Sequence, residues 1–188
     1  MTTPTSVLVR ESGDRETVWR RRWPILALVT AVSALSLGGA FAARPVLLFN
    51  LTPSEPTGLY VETPDRPADG RLVAFEAPAA AFPYADGRLG YLRHTPLLKA
   101  VAGVAGDEVC TLAGRLRING RDRAPIAAHD GLGVALPHWS GCRRLAANEL
   151  FVFSDRVSNS FDSRYFGPVN RSAVIGVYVP VFTRRGGS

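Results

Sequence analysis

The sequence predicts a mostly β domain, exported and carried on a single N-terminal transmembrane helix. Three observations lead there. Residues 24–43 ("PILALVTAVSALSLGGAFAA") contain no charge and are long enough to cross a bilayer core as a helix. From Pro45 onward the apolar runs are short and broken by Gly, Pro and Asp. Long amphipathic helical periodicity is missing, apart from a stretch over residues 77–93 where a short helix fits.

Residues 1–23 form the expected cytoplasmic tail, polar and disordered over residues 1–18. Arg20, Arg21 and Arg22, flanked by Trp19 and Trp23, stand just before the apolar run. Positive charge on that side keeps the N-terminus in the cytoplasm and sends residues 44–188 across the membrane, while tryptophans suit the interface. A cleaved signal peptide is the rival reading, because Ala40-x-Ala42 resembles a processing site. Apolar character continuing through "PVLLF" (residues 45–49) favours an uncleaved anchor. Both readings place the domain on the same, extracytoplasmic side of the inner membrane.

Within residues 44–188, "GLYVET", "RLVAFEA", "PLLKAVAGV", "DEVCTLAGRLRING", "ELFVFSD" and "SAVIGVYVPVF" each read as a strand or strand pair. Asn119-Gly120 marks a tight turn. Gly103, Gly106 and Asp107 read as a structural turn after the strand that carries Lys99. Residues 121–148 read as a long loop pinned by Cys142. About 140 residues suffice for one domain with its own core.

The formal net charge of +6 does not by itself mean nucleic acid. Basic residues cluster beside the apolar run and at Arg184 and Arg185, with no basic helix interleaved with aromatics and no metal-finger spacing, so no nucleic-acid partner is expected. Cys110 and Cys142, the only cysteines, lack metal-site spacing. In an exported domain they read as a disulfide closing a loop of about 30 residues, worth roughly 3 kcal/mol; two buried thiols are the alternative. No metal or cofactor is expected.

His94, His129 and His138 stand in no recognisable catalytic frame, and Gly-x-Ser-x-Gly, phosphate-loop and His-Glu-x-x-His patterns are missing. Lysine is more informative. Lys99 is the one lysine among 22 basic residues, and Leu97, Leu98, Val101 and Val104 surround it in sequence. Burial penalises an ammonium and pushes its pKa down, and a neutral amine can take a proton from a serine hydroxyl where an arginine cannot. Snorkelling to solvent from a strand end is the plainer alternative for Lys99.

Three stretches bear on this choice. "TPSEPTGLY" (residues 52–60), "LLKAVAGVAGDEV" (97–109) and "SNSFDSRYFGPV" (158–169) resemble the three boxes of the Ser/Lys signal peptidases, in the family's order. The Thr-x-Ser-x-Pro-x-Gly-Leu-Tyr form of the first box is similar to the plasmid conjugative-transfer, TraF-type branch, which matures pilin subunits. Bacterial leader peptidases usually carry Ser-Met there, so Glu55 departs from their pattern.

The resemblance implies a signal-peptidase-like β domain with Ser54 as nucleophile and Lys99 as general base. It implies that the Thr52 hydroxyl supplies an oxyanion donor beside the Ser54 N–H; a turn-stabilising hydroxyl is the alternative. Ser160 would hydrogen-bond and steer the lysine ammonium. Asp162 and Arg164 would form a buried ion pair that shapes the site, or Asp162 would itself be a catalytic acid. The implied activity is serine endopeptidase cleavage of an exported precursor polypeptide, such as a conjugative pilin, at the bilayer surface. Hydrolysis and cyclising transpeptidation both stay open. The alternatives are a general type I signal peptidase and a non-catalytic anchored β module of a secretion or conjugation apparatus.

Overall fold

The structure, a computed structural model, describes residues 46–184. The chain divides into two units, Met1–Ala43 and Arg44–Ser188, and the described residues all belong to the second. The expected cytoplasmic tail and the anchor over residues 24–43 lie outside them. Among the described residues no helix is long and apolar enough to cross a membrane.

Strands dominate the described residues. They are β1 (Leu47–Asn50), β2 (Thr57–Thr63), β3 (Leu72–Phe75), β4 (Leu97–Gly103), β5 (Glu108–Leu112), β6 (Arg115–Ile118), β7 (Arg121–Pro125), β8 (Gly141–Arg144), β9 (Glu149–Val152), β10 (Val169–Asn170) and β11 (Val174–Arg184). Two short helices, α1 (Tyr84–Arg88) and α2 (Ser163–Phe166), accompany them. The stretch expected to hold a short helix becomes α1 flanked by single 3-10 turns at Ala79–Ala81 and Gly90–Arg93.

A seven-stranded sheet runs in the order β1-β2-β11-β3-β4-β9-β10, and a four-stranded sheet in the order β7-β6-β5-β8. Alternation along β3 and β4 sorts their side chains between the faces of the larger sheet. Val73, Phe75, Leu97 and Val101 join Leu150, Phe161 and Phe166 in one core, while Ala74 and Leu98 pack with Tyr60 and Tyr178 in another. Lys99, two positions from both Leu97 and Val101, falls on the face of the first core and pairs in register with Val73. A third cluster, including Val109, Leu116, Phe151 and Phe153, joins the small sheet to β9.

Two expectations need correction. Residues 121–148 are not one long loop, because β7 and β8 lie at their ends and only 126–140 connects them. Both are outer strands of the small sheet. "RDRAP" and "GCRR" are mostly exposed and rich in arginine, so they carry none of the apolar alternation that marks a half-buried strand. Likewise "PVLLF" is no simple continuation of the apolar run. Its last three residues begin β1, which pairs antiparallel with β2 from Leu47↔Val61 to Asn50↔Gly58.

The turns fall where they were expected, except that Gly103 belongs to β4, paired with Phe151, so the turn after that strand runs over 104–107. Asn119 and Gly120 both take positive φ (50° and 75°) between β6 and β7. After β4, Asp107 closes its own turn by accepting from the Val104 N–H at 2.8 Å. Cys110 and Cys142 are bonded and sit directly opposite each other on β5 and β8.

Candidate active site

The loop after β1 is built around Asn50. Its Nδ2 donates to the carbonyls of Thr52 (2.9 Å), Glu55 (3.0 Å) and Pro56 (3.1 Å). Its Oδ1 accepts from the Thr52 N–H (3.1 Å) and the Thr52 hydroxyl (2.9 Å). One buried amide therefore satisfies the backbone of a turn that has no ladder partner. Tyr60, wholly buried on β2, donates its hydroxyl to the Pro56 carbonyl at 2.5 Å. The Ser154 hydroxyl, just beyond β9, donates to the Ser54 carbonyl. The turn that carries Ser54 is thus held from three directions.

The Gly-Leu-Tyr that follows has a packing reason. Gly58 takes φ +145°, and a Cβ there would collide with the Phe182 carbonyl on β11. Tyr60 supplies the buried anchor already described.

Ser54 and Lys99 meet. Their Oγ and Nζ atoms are 2.5 Å apart, with the residues only 6% and 4% exposed. Burial pushes the Lys99 pKa below its ordinary value; the Asp162 and Glu55 charges oppose that shift, and Arg164 adds to it. An amine held this way spends more of its time as a free base, which is what deprotonating a hydroxyl requires.

The other expected residues gather around this pair. Asp162 and Arg164 form a buried two-pronged ion pair, Nε to Oδ1 at 2.8 Å and Nη2 to Oδ2 at 2.9 Å. Asp162 also caps α2, its Oδ1 accepting from the Arg164 N–H at 3.2 Å. Arg164 reaches on to the carbonyls of Ser160 (2.9 Å) and Pro125 (3.1 Å), linking the site to β7. Both carboxylate oxygens of Asp162 are engaged, and its charge opposes the lowering of the Lys99 pKa by burial.

Thr52 Oγ1 stands 3.4 Å from Ser54 Oγ, while its proton goes to Asn50. Its turn-stabilising role is therefore formed, and the hydroxyl must rotate before it can donate to an oxyanion. Ser160 differs from expectation. Its Oγ is buried and has no hydrogen-bond partner, while the Lys99 amine donates to Ser54.

Sequence reading passed over three residues here. Asn50 and Ser154 are ordinary polar residues whose value lies in what folding brings to them. Glu55 is only 6% exposed, and its Oε1 accepts from the Ala100 N–H at 3.3 Å. Its departure from the leader-peptidase pattern was a visible signal, but not one that revealed burial beside Lys99.

Ser54 and Lys99 open into a cleft of about 680 Å³, bounded by β1 on one side and by Tyr91, Leu92 and Pro96 on the other, with Ser160 and Phe161 also in its wall. None of the three histidines lines it. Leu47, Phe49 and Leu51 at its β1 side are exposed apolar side chains.

The family model described as signal peptidase, peptidase S26, matches residues 20–183. The chain is 38% identical over 177 residues to a conjugal transfer protein TraF of Agrobacterium tumefaciens (strain 15955), covering 87% of this chain and 98% of that one. It is 31% identical over 176 residues to a plasmid transfer protein TraF of Escherichia coli, covering 88% and 98%. A shorter match, 28% over 94 residues, covers 45% of this chain and 56% of a protein named signal peptidase I V of Bacillus subtilis (strain 168).

Proposed function

This chain belongs to the signal peptidase, peptidase S26, family, and from that premise we propose that it is a membrane-anchored serine endopeptidase whose Ser54 nucleophile is activated by Lys99. The reading rests on one observation, the 2.5 Å approach of Ser54 Oγ and Lys99 Nζ in a buried setting. Ser54 Oγ attacks the scissile carbonyl while its proton passes to the Lys99 amine. The Ser54 N–H and the rotated Thr52 hydroxyl stabilise the oxyanion. Lys99 then gives its proton to the departing amine, leaving an acyl-enzyme. In its ammonium form Lys99 can donate to the unpartnered Ser160 hydroxyl, which suits the steering role expected of that residue.

The substrate in this proposal is an exported precursor, a conjugative pilin subunit being the favoured case. Relatives named for conjugal and plasmid transfer support that choice. The uncharged run over residues 24–43 would anchor the domain in the inner membrane, and the exposed Leu47, Phe49 and Leu51 suit a site working near lipid on the extracytoplasmic side. Water resolves the acyl-enzyme by hydrolysis; a substrate amine in its place would yield a cyclic product.

Complementation tests the proposal. Cells lacking this protein receive Ser54→Ala or Lys99→Arg, and transfer function and precursor maturation are scored. Both variants are expected to accumulate uncleaved precursor. Full function in both would instead favour a non-catalytic anchored module.

A further inference from the structure

We propose that Glu55 is an electrostatic positioning residue for the catalytic pair, its buried carboxyl setting the pH at which Lys99 becomes a base and stabilising the ammonium that forms during attack. This rests on the Ser54–Lys99 reading above and adds a residue that the reading does not use.

Geometry places the carboxyl there. Glu55 directly follows Ser54 in a loop fixed by Asn50, whose Nδ2 donates to the Glu55 carbonyl at 3.0 Å. Its Oε1 takes the N–H of Ala100, the residue after Lys99 on β4. Phe153 N–H donates to Ala100 O at 2.9 Å, so the polar groups of Ala100 face the β9 side, where Glu55 approaches. The carboxyl is therefore docked on the backbone of the lysine strand, one residue from the base and one from the nucleophile.

Its electrostatic surroundings come from several elements. Lys99 of β4 and Arg156 beyond β9 favour the carboxylate, and Asp155 opposes it. Tyr60 of β2 feels the Glu55 charge in turn. Asp162 and Arg164, themselves paired, act on Lys99 with opposite signs. Burial outweighs these favourable neighbours and pushes Glu55 up to about 7.

The pair therefore loses two protons before it is competent. Ammonium with carboxylic acid is the acidic form, and amine with carboxylate is the active one. As the Ser54 O–C bond forms, the serine proton moves to Nζ, and the new ammonium is then matched by the Glu55 carboxylate. The sign follows. An ionised Glu55 raises the Lys99 pKa against the downward pull of burial. Removing that charge frees the amine at lower pH and leaves its ammonium with only Asp162, itself paired to Arg164, to offset burial.

Because Lys99 is the only lysine of the chain, labelling lysine with carbon-13 at Cε gives one resonance that reports its ionisation. The test is a pH titration of the full chain in detergent, as wild type and as Glu55→Gln. In the wild type the resonance is expected to show a step near pH 7 as Glu55 ionises, besides the step of Lys99 itself. In Glu55→Gln the first step vanishes, and the Lys99 midpoint moves down by roughly half a pH unit or more. A Lys99 midpoint that stays put or rises in the variant overturns the proposal. So does a wild-type resonance insensitive to pH around 7, a result that stands even if the variant fails to fold. The resonance is read whether or not the protein cleaves anything, so this outcome is separate from that of the complementation test.

Discussion

Ser54 Oγ and Lys99 Nζ lie 2.5 Å apart although 45 positions separate the two residues. Two different supports bring them together. Ser54 sits on a turn with no ladder of its own, held by the Asn50 amide and the Ser154 hydroxyl. Lys99 stands in the middle of a central strand, where pairing with β3 and β9 fixes its direction. A loop thus presents the Ser54 hydroxyl to an amine mounted on rigid backbone.

The Asn50 amide can be tested without touching either reactive group. Asn50→Asp keeps the acceptor for Thr52 but loses the donor shared by three carbonyls. Its new carboxylate also faces those carbonyls. Stability is expected to fall by about 1–3 kcal/mol, measured by denaturant unfolding, and precursor cleavage should drop with it. An Asn50→Asp protein with wild-type stability and turnover would show that the loop is held by other means.

The Asp162–Arg164 pair predicts a marked asymmetry between single and double substitutions. Removing one partner leaves a buried charge alone, at a cost of about 3–5 kcal/mol. Arg164→Lys should recover little, because an ammonium cannot span both carboxylate oxygens and also reach the Ser160 and Pro125 carbonyls. Replacing both residues by apolar ones should cost less than the sum of the singles. Additive losses in a double-mutant cycle would contradict a coupled pair.

Lys99 sets stability against activity. Its folded pKa is depressed, so as pH falls from its unfolded value of 10.5 the unfolded chain takes up the proton first. Stability from this group is full above 10.5 and is lost as pH drops toward the depressed folded value. Lys99→Met removes the penalty. Its melting temperature is expected to exceed that of the wild type near neutral pH, with the difference closing toward pH 10.5, while cleavage is abolished. A Lys99→Met protein less stable than wild type at neutral pH would mean that the amine is not under strain from burial.

The disulfide lies away from the chemistry, since neither Cys110 nor Cys142 lines the cleft. Reduction, or Cys110→Ser with Cys142→Ser, is expected to lower stability by roughly 3 kcal/mol. Where the variant stays folded, kcat/KM should be unchanged. A large loss of kcat/KM in folded, reduced protein would link the small sheet to the site more tightly than the structure indicates.

Much of this was legible in the residues alone, for local reasons. Half-buried strands advertise themselves by alternation, and Asn119-Gly120 by its need for positive φ. A solitary lysine among leucines and valines already posed the question of its protonation. Two cysteines allow only one intramolecular pairing. What the sequence left unread was long-range. The outer strands β7 and β8 exist because β5 and β6 offer ladder partners, not because their exposed arginine-rich residues prefer to be strands. Asn50 and Ser154 become structural only when the Ser54 turn folds over them, and the Ser160 hydroxyl ends up buried without a partner. Glu55 is the sharpest case. Between two prolines and a serine nothing marks a glutamate as buried, and its ionisation depends on water being excluded by β4, β2 and the segment after β9. Residue identity sets which groups can titrate, but desolvation and neighbouring charge, which exist only once the chain has folded, set where they do so.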